Sequence, residues 1–155
     1  MQIRIAMETD IPSINGLLYE EANTHYQKRP DLFKGNGKPY TEEELKELIT
    51  DTNRPVFVVE EAGEILGYAF CGFQKYPNDP FYTNVKTMRI AHICVASRFR
   101  RRKIGTALFD FVVSFAKTLG CYNVTLNAWA CNQTAMKFFE ACGLRLQKVG
   151  LEKIL

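Results

Sequence analysis

The chain has 155 residues, 46% of them hydrophobic, enough for one domain whose core needs no metal or disulfide staple. Its net charge of +3 comes largely from one run, Arg98 to Lys103, so the surface as a whole is not a nucleic-acid-binding one, and a small anionic ligand fits better than a long polyanion. Five cysteines with no C-x-x-C pair read as reduced core residues of a cytoplasmic protein; no leader pattern, no apolar run near ~18 residues and no His/Cys/Asp spacing points to secretion, a membrane span or a metal site.

Met1 to Met7 alternates Ile3 and Ile5 with polar residues and reads as a short strand. Asp10 is expected to cap a helix with Pro12 in its first turn and Ile11, Ile14, Leu17, Leu18 and Ala22 toward the core, running out near His25 and Tyr26. Gln27 to Pro39, with two glycines and two prolines, is predicted as a mobile loop, and a loop of that length in a compact domain is often functional. Thr41 with Glu44 is a capping-box signature for a second helix carrying Leu45, Leu48 and Ile49, with Pro55 after its end. Val56 to Glu60 and Ile65 to Gln74 are β-rich runs joined by the short connection Glu61 to Glu64.

Met88 to Val95 is apolar at nearly every position, broken only by Arg89 and His92, as expected for a central strand covered on both faces. From Ile104 the period changes: Ala107, Leu108, Phe111, Val112, Phe115 and Leu119 follow at helical spacing, and Gly120 supplies the stop. Between strand and helix lie five cations, Arg98, Arg100, Arg101, Arg102 and Lys103. A helix start leaves N–H groups unpaired and carries the positive end of the helix dipole, so it suits a phosphate or pyrophosphate, and Gly105 would let a ligand approach the backbone. Tyr122 to Trp129 alternates as another strand. Asn132 begins a last helix that Gly143 ends, and Leu144 to Leu155 has the length for one or two further strands. The layout is mixed α/β, with a hairpin meander before a crossover helix.

Two stretches resemble the GNAT superfamily of N-acetyltransferases. Arg100-Arg101-Arg102-Lys103-Ile104-Gly105, preceded by Ile93-Cys94-Val95, is similar to the family's acetyl-CoA loop, Gln/Arg-x-x-Gly-x-Gly/Ala after a strand ending in Val. Lys103 stands in the slot of the first glycine: helical φ/ψ there would tolerate a side chain, whereas positive φ would strain it. Asn132, Ala135, Phe138, Glu140 and Gly143 fit a second family signature, Asn-x-x-Ala-x-x-Phe-Tyr-Glu-x-x-Gly-Phe, with Phe139 where the family usually has tyrosine. The order of elements agrees along essentially the whole chain.

The resemblance implies a single acetyltransferase domain over 1–155, with a central mixed sheet flanked by helices, and acetyl-CoA as co-substrate without a metal. It assigns cofactor contacts to Ile93, Cys94, Val95, Arg100, Arg101, Arg102, Lys103, Ile104, Gly105, Thr106, Asn132, Ala135, Phe138 and Phe139. It implies direct transfer of the acetyl group to a primary amine of a small molecule or peptide, with a backbone N–H of Cys94 or Val95 meeting the oxyanion. His92 is the candidate base, because related sequences often carry an acid at the Ala91-His92 positions and imidazole titrates in a useful range; a buried, hydrogen-bonded histidine is the bland reading. The acceptor site falls to the end of the first helix and the loop after it, with Glu21, His25 and Tyr26, and to Asn127; Glu20, Glu21, His25 and Tyr26 are alternatives to His92 as base, or else an ordinary solvated helix end. Phe139 cannot protonate the leaving thiolate, which leaves Tyr68, Tyr122 or water. No nucleic acid or membrane is expected as a partner, and a homodimer is compatible with the reading. The competing function is a catalytically weak acyl-CoA-binding or sensing module, motivated by Phe139 and Lys103.

Overall fold

The computed structural model describes residues 1–155. Five strands, β1 (Gln2–Ile5), β2 (Val56–Glu61), β3 (Glu64–Gln74), β4 (Thr87–Val95) and β5 (Asn123–Leu126), form one sheet in chain order. The first four are antiparallel and β5 runs parallel to β4. A parallel pair needs a crossover, and α3 (Ile104–Thr118) supplies it. Before the hairpin come α1 (Ile11–Lys28) and α2 (Glu42–Thr50), and after β5 comes α4 (Gln133–Ala141).

Two cores explain why β2 is apolar without alternation. Val56 and Val58 pack with Ile14, Leu18, Leu45 and Tyr68 under α1 and α2. Phe57 and Val59 pack with Met88, Ile90, Leu108 and Val112 under α3. A strand covered on both faces must be apolar on both, and each fully buried aliphatic or aromatic side chain is worth roughly 1.5–3 kcal/mol. Local signals set the ends of several elements. Thr41 Oγ1 accepts from Glu44 N–H at 3.2 Å while the Glu44 carboxylate accepts from Thr41 N–H at 2.7 Å. Ala62 and Gly63 take φ of 51° and 79° in the β2–β3 turn, and Gly120 and Gly143 take positive φ after their helices.

Four expectations need correction. Asp10 does not cap α1 with its side chain; it is buried, accepts two bonds from Arg4 at 2.7 and 3.0 Å and a third from Met7 N–H at 2.7 Å, so an ion pair outcompetes the local capping pattern. The loop after α1 is pinned instead of hanging free: Phe33 stacks on His25 with centroids 5.2 Å apart and meets Trp129 edge-on at 5.3 Å, and Lys38 Nζ donates to Asn15 at 2.7 Å. Residues 144–155 form no strand; Leu146, Val149, Leu151 and Ile154 are exposed, and Glu152 accepts from Arg29 at 2.5 and 3.2 Å. Of the five free cysteines only Cys71 and Cys94 are buried, and Cys131 is exposed, because it lies in the turn between β5 and α4. No helix is long and apolar enough to cross a membrane.

Candidate active site

β4 is less enclosed than its composition predicts: Arg89 and Ala91 are exposed, and β5 pairs only with Thr87 to Ile90 and then ends. Beyond Ile90 one edge of β4 is open. Phe70 pairs with His92 and Cys71 with Ile90, so Ala91 is an extra residue, a β-bulge that bends the strand where the opening begins. Ala96 N–H donates to the Leu66 carbonyl of β3 at 2.9 Å. Because N–H groups alternate sides along a strand, Cys94 N–H is also turned to β3, whereas Val95 N–H is turned to the open edge. The Val95 carbonyl agrees, since it accepts from Arg100 Nε at 3.4 Å. Val95 therefore offers an N–H there and Cys94 does not. Burial, with the Glu20 and Glu21 charges nearby, pushes the Cys94 thiol up to about 12, so Cys94 is a neutral packing group.

His92 shares a face with Tyr68, Phe70 and α1, and there it meets Glu21. The two carboxylate oxygens lie 3.3 and 3.4 Å from His92 Nδ1, Tyr68 Oη donates to the same carboxylate at 2.5 Å, and His25 Nε2 lies at 3.9 Å. Burial works to raise the Glu21 pKa, but donation from His25, His92 and Tyr68 outweighs it and holds the group at about 2. Glu21 is thus an anion at neutral pH although its side chain is only 17% exposed. Tyr68 moves the opposite way, its phenol held protonated by burial and by the Glu21 charge. Tyr40 lies edge-on to His92 with centroids 5.5 Å apart and stacks on Phe70 at 5.4 Å. The imidazole stays 23% exposed, so it is not the sealed histidine of the bland reading.

At the other end of the opening, a 3₁₀ turn over Ser97–Phe99 leads to α3. Glu20 accepts from Ser97 N–H at 2.6 Å and fixes this turn to α1. Lys103 has φ 61° and ψ 13°, the left-handed region, so the slot does require positive φ and the side chain there is strained, at a cost of about 1–2 kcal/mol. The Lys103 carbonyl accepts the first intrahelical bond, from Ala107, and no side chain caps the N–H groups of Ile104, Gly105 and Thr106. Two cations of the run are already paired with the β2–β3 hairpin: Arg98 with Glu64, and Arg102 with Glu61 at 2.7 Å. Arg100, Arg101 and Lys103 make no ion pair and are exposed.

Residues 18–144 match the acetyltransferase (GNAT) family. The chain belongs to this family. A curated relative, glucosamine 6-phosphate N-acetyltransferase of Arabidopsis thaliana, is 31% identical over 68 residues, which span 44% of this chain and 44% of that protein. Among solved structures, a mutant of the BH1408 protein from Bacillus halodurans has a TM-score of 0.95 at 26% identity, covering 100% of this chain and 99% of the other. Aminoglycoside N-acetyltransferase AAC(6')-Iy in complex with CoA shares the fold, with a TM-score of 0.70 at 18% identity over 99% of both chains.

The second GNAT signature lands on α4 and its N-terminal turn. Asn132 Oδ1 accepts from Ala135 N–H at 3.2 Å and so caps the helix. A Cβ at Gly105 would lie 3.2 Å from the Phe138 ring, so the missing side chain makes room for α4. Phe139 is half-buried against Phe138. Of the expected substitutes for the family tyrosine, Tyr68 is bound to Glu21, and Tyr122 is exposed beside Lys86, at the end of the β4–β5 pair remote from Val95. Asn127 is exposed just beyond β5 and Tyr26 is exposed on α1, and neither is in hydrogen-bonding contact with Glu21 or His92. Tyr40 beside His92, and Phe33 between His25 and Trp129, are contacts that the sequence does not single out. Their only local signal was an aromatic in or beside a loop.

Proposed function

We propose that the protein is an acetyl-CoA-dependent N-acetyltransferase, one domain over residues 1–155, that transfers the acetyl group directly to a primary amine of a small molecule or peptide. The observation that carries this reading is the Glu21–His92 pair set beside an open strand edge whose Val95 N–H is free. Acetyl-CoA supplies an activated acyl group. Its pyrophosphate fits the uncapped N–H groups of Ile104, Gly105 and Thr106, with Arg100, Arg101 and Lys103 close in sequence and unpaired. Arg102, tied to Glu61, contributes less. The opening between β4 and β5 suits the pantetheine arm, flanked by Ile93 and Val95 on one side and the face of α4 with Ala135, Phe138 and Phe139 on the other.

Ionised Glu21 accepts from His92 Nδ1–H and thereby fixes the tautomer, so Nε2 presents its lone pair to the acceptor amine. As the amine nitrogen bonds to the acyl carbon, its proton passes to Nε2, Val95 N–H stabilises the oxygen that gains charge, and the C–S bond breaks. The thiolate takes its proton from water, because Phe139 has none to give; a thiol with a pKa of ~8.5 is a fair leaving group, so the loss slows transfer more than it abolishes it. Five free thiols fit a reducing, cytoplasmic compartment, and the exposed apolar tail with the free edge of β5 supports a homodimer.

The test is release of free thiol from acetyl-CoA with a panel of polyamines, amino acids, aminoglycosides and peptide N-termini. Steady release with at least one acceptor is expected. Tight acetyl-CoA binding without turnover on any of them would favour an acyl-CoA-binding module, the reading that Phe139 and the strained Lys103 support.

A further inference from the structure

On the face of the sheet that carries His92, a cleft of about 280 Å³ is lined by Tyr40, Arg54, Phe70, Gly72, Gln74 and Arg89, among others. Gly72 is its floor. It pairs with Arg89 across the β3–β4 ladder, and paired residues project to the same face, so Arg89 rises beside it. A Cβ built on Gly72 would lie 3.8 Å from Arg54 Cγ, so the stem of Arg54 lies across the same glycine. Two guanidinium arms thus converge over a position that has no side chain.

Their charge is largely uncompensated. Arg54 Nε donates to Asp51 at 2.6 Å, which leaves its two terminal nitrogens without a partner, and Arg89 makes neither an ion pair nor a hydrogen bond. Glu44 is occupied by the α2 cap, and Glu21 by Tyr68 and the histidines on the far side of His92. The Tyr40 hydroxyl, with no partner of its own, adds a neutral donor. Arginine forks and a hydroxyl that face a cleft match the oxygens of a carboxylate or a phosphate, in pairs of parallel hydrogen bonds.

Resting on the acetyltransferase reading above, we propose that the acceptor amine carries an oxyanion, a carboxylate or a phosphate monoester, held between Arg54 and Arg89 while the amine reaches His92. Arg89 and His92 lie three residues apart on β4, about 10 Å or less along the bulged strand, a span that one small molecule and an arginine side chain bridge.

The test compares matched acceptors, an amino acid with its amide and an amino sugar with its phosphate ester, by thiol release. Wild-type protein should prefer the anionic member of one pair by about tenfold or more in kcat/KM, and Arg89→Ala should bring that ratio toward one. Which pair shows the preference identifies the anion. Equal use of both members by the wild type, or an unchanged ratio in Arg89→Ala, overturns the proposal. A second readout does not need turnover. With the protein saturated in CoA, so that the α3 end is occupied, inorganic phosphate or acetate should raise Tm in the wild type more than in an Arg54→Ala/Arg89→Ala variant. If that difference appears without any acetyl transfer, the anion site stands and the transferase reading falls; if transfer occurs and the difference is absent, the reverse holds.

Discussion

At the Val95 end of the opening the groups offered to a ligand are backbone N–H groups, gathered within a dozen consecutive residues by one strand end and one helix start. At the Ala91 end they are side chains that come from α1, the loop before α2, the turn before β2, and the strands β3 and β4. A backbone site needs only a correct fold and tolerates side-chain drift, which is why Lys103 can stand in a strained glycine slot. A side-chain site fails when any one contributor changes, and it is also the part that can be retuned toward a new acceptor. The difference predicts that substitutions at the two ends fail in different ways.

The largest stability effect falls at the side-chain end. Glu21 has its pKa lowered from 4.5 to about 2 in the fold, so its contribution is present above pH 4.5 and lost as the pH falls toward 2. Glu21→Gln should therefore cost roughly 3 kcal/mol at neutral pH, and the stabilities of the two proteins should converge on acidification across that window. Denaturant unfolding at several pH values measures it. A constant difference down to pH 2 would mean that the charge of Glu21 does not matter.

Next in size is Gly67, where a Cβ would lie 2.6 Å from the Cys94 carbonyl oxygen of β4. Gly67→Ala should force the two strands apart, lower stability by about 1–3 kcal/mol and weaken acetyl-CoA binding through Val95. Calorimetric titration with acetyl-CoA checks the second part, and unaltered affinity would sever the link between this strand pair and the ligand. The smallest effect belongs to the strained slot. Lys103→Gly should relieve the left-handed conformation and raise stability by about 1 kcal/mol, offset in part by the greater freedom of glycine in the unfolded chain. A fall in Tm would show that the lysine makes a compensating contact.

How far the sequence reveals each end follows from the same contrast. The loop from Val95 to Thr106, the Thr41–Glu44 box, the Asn132 cap and the Gly120 and Gly143 stops are local patterns, and local patterns can be read in order. Asp10 shows the limit: it has the right residue type for a cap, but Arg4, brought close by the chain's return, takes its carboxylate. The tail shows another: length alone does not make a strand, and residues 144–155 pair with none although one edge of β5 is free. At the Ala91 end, His92, Glu21 and His25 stand out as ionisable groups near expected site elements, but their meeting depends on α1 crossing β4. Tyr68 is legible as a possible proton donor, but its partner is not: a phenol in the middle of a buried strand has to find one, and only the fold supplies Glu21. Arg89 stands out as a break in an apolar strand, but nothing local announces that Arg54 meets it over Gly72.

The central claim is that His92, oriented by Glu21, takes the proton from the acceptor amine. It is tested most directly by the single-turnover rate of acetyl transfer in wild type and His92→Ala with one amine acceptor at saturating acetyl-CoA. A fall of about 10²–10⁴-fold in that rate, with acetyl-CoA affinity retained, is the predicted result. An unchanged rate with an unchanged pH profile would contradict it.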